Sequence, residues 1–337
     1  METSDYKKNI ISNLRGFYLT QIIVNLGRIG LIDSILSKNS IEINRLGRKI
    51  SKSVLLTIFN YFSNIGFAKK NKKKYYLTEL GRDVLRRYSS FYVPHSYKNY
   101  FSNLGQLLKG SIKKAKVDRQ ENILGSGKTH LRYFMHAISY IRTKIKPTAL
   151  IDIGIGNADF AINLNKYYKL HKVYGVDYSR VSVKQASKSM KSASLKNKVI
   201  QCDGSKVDYW ASKALKYLKN EKIVITLWFL VHEISNNSES KIIKFLNQIK
   251  KNIPNSDLII CELVDIPWDI LSNNRENTFI PEYLLFHELS DQGVLSLEKL
   301  TKIINKSKYK LVNKVFFDDL KSKRNKLYPS CVLFYLK

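Results

Sequence analysis

Acidic residues are scarce in this chain. Against 58 Lys and Arg stand only 27 Asp and Glu in 337 residues, a formal charge of +31. One reading of that surplus is an acidic partner such as nucleic acid. The other is compositional drift. Lys, Asn, Ile, Tyr and Ser crowd the chain as an AT-rich genome would produce, and lysine runs along the whole length with no arginine-rich stripe and no RNA-binding motif. Drift is the reading taken, and no nucleic-acid partner is expected. Cysteine is rarer still. Cys202, Cys261 and Cys331 lie apart, each in or beside an apolar run, at no metal-ligand spacing and too few for a disulfide framework. Long apolar runs are missing too. None reaches the length that spans a bilayer, and the opening residues do not read as a signal peptide. The expectation is a cytoplasmic protein without a membrane partner. The hydrophobic share is 44%, enough for real cores, and at 337 residues two domains are the default.

What is present centres on TALIDIGIGNADF, residues 148–160. The apolar run from Ala149 to Ile153 carries one acid, Asp152. Gly154 and Gly156 follow, then a helical pattern from Phe160 to Tyr168. This is strand, tight turn, helix. Glycines let backbone N–H groups close on a ligand, and the helix adds its positive end. A dinucleotide fingerprint needs a third glycine at 159, where Asp159 stands. Asp152, Gly154, Gly156 and Ala158 fit instead the acid-x-Gly-x-Gly-x-small pattern of an S-adenosylmethionine (SAM) turn. SAM carries a sulfonium cation and no phosphate, so acids nearby are tolerable.

Downstream segments extend the pattern. The run Lys172 to Val176 ends on Asp177, where an acid can take both ribose hydroxyls, with Tyr178 next in the chain. Val199 to Cys202 ends on Asp203 and Gly204, and Asp203 suits an adenine amino group. Ile223 to Leu227 and Leu258 to Cys261 supply two more strands, with a helix over Ser238 to Lys251 between them. Strands alternating with helices give a parallel sheet with ligands at the carboxyl ends of its strands. From Thr148 to the C-terminus the chain resembles the class I SAM-dependent methyltransferases. That resemblance implies an α/β Rossmann-like core with a seven-stranded sheet, its last strand antiparallel. Asp152, Gly154, Gly156, Asp177, Tyr178, Asp203, Gly204 and Trp228 are then the cofactor candidates. A helix at Ser296 to Ser307 and strands at Leu311 to Phe317 and Val332 to Leu336 fit the ending, with a plain loop between the two strands.

The first 110 residues read differently. Apolar spacing predicts a helix over Asp5 to Ser37, then amphipathic helices over Ile41 to Lys49 and Ser53 to Asn64. Phe67 to Lys70 and Lys74 to Leu77 form a hairpin around a lysine-rich turn, and Thr78 caps a further helix. Helix, helix, hairpin is a winged helix. Its would-be recognition helix is largely apolar and offers few base-reading side chains. The arrangement resembles the N-terminal domain of small-molecule O-methyltransferases, where it serves dimerisation, so a homodimer is implied. Domain boundaries follow: 1–110 winged helix, 111–147 linking and lid helices, 148–337 SAM-binding core. Within the linker, residues 125–129 mimic the end of a phosphate loop. Asn122 replaces the required first glycine and no strand precedes it, so the reading is a loop before a helix. Arg132 and His136 on the lid helix are candidates for a substrate carboxylate, and Phe229 for the substrate itself. His95, His130 and His171 show no partner spacing.

Three residues direct the chemistry. His232 follows the fourth strand, Glu262 ends the fifth, and His287 lies in the segment after it. The O-methyltransferases place a general-base His near the first position and an orienting acid near the second. Two imidazoles and one carboxylate form a facial ligand set for a divalent ion. LVHE, then ICE, then PEYLLFHELSDQG resembles the α-keto acid C-methyltransferases. By that resemblance His232, Glu262 and His287 bind iron or zinc, and the β-carbon of a small α-keto acid is methylated through a metal-stabilised enolate. Glu233 or a metal-bound hydroxide takes the proton. The alternative is a metal-free O-methyltransferase with His232 as base.

Overall fold

The computed structural model describes residues 3–47, 49–113, 115–235, 238–274, 278–317, 320–321 and 327–337. The chain divides into two compact units, Met1–Ser96 with Leu124–Ser126 and Tyr97–Ile123 with Gly127–Lys337. Among the described residues no single helix is long and apolar enough to cross a membrane.

The first unit runs α1 (Thr3–Arg28), α2 (Leu31–Lys38), β1 (Ser40–Ile41), α3 (Lys52–Asn64), β2 (Ala68–Asn71), β3 (Lys74–Leu77), α4 (Glu79–Arg86) and α5 (Tyr92–Ser96). One helix over 5–37 was the expectation. Gly30, at φ +71°, breaks it in two. Among the described residues the expected helix at 41–49 is also absent. Ile41 and Ile43 are both buried at two-residue spacing, which suits extended chain. Accordingly β1 pairs antiparallel with β3, giving a sheet in the order β1-β3-β2, and only a single 3-10 turn, Ile43–Arg45, follows. The other elements match the reading. Ser51 caps α3 by accepting from the Val54 amide, and Thr78 caps α4 by accepting from the Gly81 amide at 3.1 Å. Phe59, Phe62, Phe67 and Tyr75 fill the space between α3 and the hairpin. This is a winged helix with a third strand on its wing.

The second unit opens with α6 (Lys98–Ser102), α7 (Leu104–Leu108), α8 (Arg119–Thr129) and α9 (Leu131–Tyr140), the last continued by a π-helical turn, Ile141–Ile145. Residues 125–129 are helical and not the expected loop. Asp118 starts α8 by accepting from the Glu121 amide at 3.2 Å. Gly127 is tolerated inside a helix because a Cβ there would strike the Asp159 carboxylate. Then come β4 (Ala149–Ile153), α10 (Asp159–Tyr167), β5 (Lys172–Asp177), α11 (Arg180–Ser192), β6 (Asn197–Gln201), α12 (Val207–Tyr217), β7 (Ile223–Trp228), α13 (Val231–Ser235), α14 (Glu239–Asn252), β8 (Asp257–Leu263), α15 (Trp268–Asn274), α16 (Ile280–Leu289), α17 (Leu297–Lys306), β9 (Leu311–Phe317), β10 (Leu320–Lys321), β11 (Leu327–Tyr328) and β12 (Cys331–Leu336).

Seven strands form one sheet in the order β6-β5-β4-β7-β8-β12-β9. Strands β4 to β8 pair in parallel, and β12 runs antiparallel to both β8 and β9. Every residue of β4 is buried, as expected for a central parallel strand covered on both faces. Ile151, Ile225 and Ile260 point to one layer, Leu150, Val224 and Ile259 to the other. The chain order reverses at β4, between β5 and β7, the point at which open α/β sheets take ligands at their strands' carboxyl ends. The expected plain loop between β9 and β12 holds a paired β10–β11 ribbon, while residues 318–319 and 322–326 lie outside the described ones.

Candidate active site

The glycine turn sits at that reversal. Gly154 and Gly156 hold φ of +75° and +57°, and Ala158 is also left-handed at +69°. A Cβ on Gly154 would touch the Leu230 side chain at 3.4 Å, so the turn is pressed against the segment after β7. The Gly156 amide donates to Asp177 Oδ2 at 3.0 Å, and Ser179 donates to Oδ1 at 2.8 Å. Burial raises the Asp177 pKa and these N–H donors oppose the rise. Asp152 is almost wholly buried and accepts from the Thr226 hydroxyl at 2.7 Å. Burial lifts its pKa to about 7, the Thr226 bond works against that, and the Asp177 charge adds to it. Tyr178, Gln201, Cys202, Asp203, Lys206 and Tyr209 line a cleft of about 440 Å³ at the carboxyl ends of β5 and β6. Asp203 turns its Oδ1 to the Ser205 amide and hydroxyl, at 2.9 and 2.8 Å. Gly204 leaves no room for a Cβ, which would lie 2.8 Å from Ile153. Trp228, at the end of β7, packs between Phe134 and Phe160.

Past β7 the backbone bends sharply. Phe229 adopts φ +50° and its amide donates to the Cys261 carbonyl at 2.8 Å. The bend aims the first turn of α13 at Glu262. Val231 and His232 amides donate to Glu262 Oε2 at 2.8 and 3.3 Å. His232 Nδ1 and the Leu263 amide donate to Oε1 at 2.8 and 3.0 Å. Four donors occupy the four lone-pair positions of one buried carboxylate. The carboxylate is acceptor-only, so Nδ1 carries the proton and the chemistry of His232 runs through Nε2. Burial works to lower the His232 pKa, and the Glu262 charge and hydrogen bond override it, leaving it raised.

His287 comes to the same place. Its ring centroid lies 4.9 Å from that of His232, at 81°. Nδ1 donates to the Tyr283 carbonyl at 2.7 Å, one helical turn back. The ring stacks on Tyr283 at 3.8 Å and lies 5.7 Å from Tyr97. Burial holds its pKa well below 6.5, and the His232 charge pushes the same way. The expected His232, Glu262 and His287 ligand set is not formed. Among the described residues no group of three or more His, Cys, Asp and Glu side chains is arranged to hold a metal ion. The physical reason is Glu262, whose oxygens are spent on four donors. Two imidazoles meet, and the carboxylate stands behind one of them.

The structure brings further residues in. Glu233 pairs with Arg119 at 2.9 Å, and Arg119 lies 5.1 Å over the Tyr178 ring. His130, read as ordinary, stacks on Phe229 at 4.0 Å, and burial, Arg132 and His232 lower its pKa to about 3. No signal in the sequence marked either Arg119 or His130. The two carboxylate candidates, Arg132 and His136, are exposed instead, Arg132 folded onto the Tyr133 ring and His136 edge-on to Phe317. Cys261 and Cys331, expected apart, sit on paired strands with their sulfurs 3.6 Å apart and fully buried as thiols.

Residues 15–111 match the model of the AprA winged helix domain. No curated protein matches the chain in sequence. Solved structures do match in shape. An O-methyltransferase family protein from Burkholderia thailandensis superposes with TM-score 0.62 at 8% identity, covering 98% of this chain and 97% of its own. The fold is the Rossmann-like methyltransferase fold with an N-terminal winged helix. The mitomycin 7-O-methyltransferase MmcR gives 0.57 at 11% identity, covering 99% and 98%. A methyltransferase of calicheamicin biosynthesis, in an SAH-bound form, gives 0.53 at 10% identity, covering 100% and 99%.

Proposed function

We propose that the protein is a SAM-dependent methyltransferase of a small molecule, with His232 as general base. The observation that carries this is the buried His232–Glu262 pair at 2.8 Å, beside the glycine turn. The turn and Asp177 fit the methionine and ribose portions of SAM, since a backbone amide and a carboxylate meet there at the strand ends. When bound, SAM supplies an electrophilic methyl on a sulfonium. His232 Nε2 accepts the acceptor's proton as the nucleophile forms, and Glu262 holds the resulting imidazolium in place. Glu233, salt-bridged to Arg119, is a supporting group rather than the base. Phe229, pinned in a left-handed turn, makes one wall of the acceptor side.

A hydroxyl is the leading acceptor, in keeping with the O-methyltransferases of similar fold. A second reading keeps the β-carbon of a small α-keto acid. Its support is His287, a second imidazole kept neutral beside the base. Because Glu262 has no lone pair left, no step of this reading runs through iron or zinc. The homodimer proposal rests on α1, where Ile10, Leu14, Phe17 and Tyr18 are 41–63% exposed, an apolar surface that a second copy would cover. Residues 1–110 are then the dimerisation module, 111–147 the lid and 148–337 the catalytic core, in a cytoplasmic enzyme. The deciding experiment incubates protein and SAM with panels of phenols and α-keto acids, with and without chelator, and detects methyl adducts by mass. Adduct formation lost in His232→Ala is the expected result. No adduct with any acceptor, or full activity in His232→Ala, overturns the proposal.

A further inference from the structure

We propose that the acceptor carries a carboxylate and that Arg119 binds it. This rests on the methyltransferase reading of the same site. Arg119 opens α8, and that end of the helix is pinned. Lys98 Nζ reaches Asp118 at 2.9 Å and Glu121 at 3.1 Å, and Asn99 donates to the Lys116 carbonyl at 2.8 Å. The guanidinium is therefore presented from a fixed base.

Its position is central to the site. Glu233, its 2.9 Å partner, adjoins His232 in the chain, and Tyr178, under its plane, adjoins Asp177. Arg119 thus lies between the cofactor side and the base. Its charge is felt at both imidazoles, where it opposes protonation of His232 and His287.

The free donors of Arg119 select the ligand class. A guanidinium has five N–H donors in a planar fork. Among the described residues its hydrogen-bond partner is Glu233, the Tyr178 ring lies against its plane, and 30% of the side chain remains exposed. Donors are left over, facing water. The other acids nearby are committed: Glu262 to four donors, Asp177 to two backbone amides. A planar monoanion matches the fork, and a carboxylate is the group that takes it bidentately. Glu233 competes for the same guanidinium, so an incoming carboxylate exchanges for part of an existing ion pair. The interaction then gives discrimination more than raw affinity.

Two carboxylates could meet Arg119, the acceptor's and that of the methionine moiety of SAM. Calorimetric titration of the full chain with phenylacetate and with phenylacetamide, each with and without saturating SAH, separates them. The wild type should bind phenylacetate at least about tenfold tighter than the amide. Arg119→Gln should erase that preference, Arg119→Lys should keep part of it, and Glu233→Gln should tighten phenylacetate by freeing the guanidinium. SAH affinity should stay within about threefold in Arg119→Gln, well under the roughly tenfold that one charged pair supplies. Equal affinities for acid and amide, a preference that survives Arg119→Gln, or an equal loss of SAH and phenylacetate overturns the proposal. If the wild type fails to bind SAH, the methyltransferase reading falls, and the titrations without SAH still decide the role of Arg119.

Discussion

Glu262 Oε1 stands 2.8 Å from His232 Nδ1 with both side chains all but excluded from water. The pair fixes the ring's tautomer and direction. Glu262→Gln keeps the shape and removes the charge, and its amide would face N–H groups with an N–H of its own. Methyl transfer should fall by about 10²–10⁴-fold, the range for general-base assistance. The acid limb of the pH–rate profile should move to lower pH. The sign follows from the charge: the carboxylate stabilises the imidazolium, so without it the proton leaves His232 at lower pH. A slower enzyme with an unmoved acid limb would contradict the orienting role.

Asp177 and Asp203 end neighbouring strand segments, but the structure separates their tasks. Asp177 lies against the glycine turn, while Asp203 is turned onto Ser205. Asp177→Asn should weaken SAH binding by about 1.5–3 kcal/mol, the scale of a charged hydrogen bond, and Asp203→Asn by clearly less. Calorimetry on both variants checks this. Equal losses would mean that Asp203 reorients to the ligand.

Much of this was legible beforehand. The turn at Gly154 and Gly156 and the acids ending β4 and β5 are local features, and local features survive folding. His287 reached the base as the motif pattern implied. The role of Glu262 was not legible, because residue type says nothing about which lone pairs the backbone takes. Arg119 is not legible either, since it sits in a polar stretch and meets Glu233 across 114 residues of chain. His130 gave no sign because its stacking on Phe229 depends on a left-handed residue that no pattern announces. The break at Gly30 is hidden for the opposite reason: apolar spacing continues on both sides of it.

In the winged helix, Gly81 backs directly onto Phe67, whose carbonyl oxygen a Cβ would strike. A backbone atom cannot rotate away, so Gly81→Ala must shift α4 against the strand entry. Overpacking of this kind costs about 1–3 kcal/mol. Denaturant unfolding should show that loss, with a lower midpoint and an unchanged slope. Wild-type stability in the variant would mean that α4 has slack.

The pH dependence of stability isolates Asp152. Its pKa is about 7 in the folded chain against 3.8 for an ordinary carboxyl, with burial as the chief cause. Between those values the folded state holds a proton that the unfolded chain has released. Stability therefore falls as pH rises through that window and levels off above 7. At most the loss is roughly 4 kcal/mol, from 1.36 kcal/mol per unit. His232 works in the same direction, since a raised imidazole pKa also withdraws stability as pH climbs, so the wild-type slope alone does not separate them. Asp152→Asn does. Asparagine accepts the Thr226 hydroxyl without ionising, so the variant should gain on the wild type from pH 5 to about pH 7 and hold that gain above it. The comparison is made without SAH, whose binding would add its own stability. Parallel curves for the two proteins would show that Asp152 is already ionised in the native state at pH 5, and that a compensating charge lies closer to it than Asp177 and Thr226.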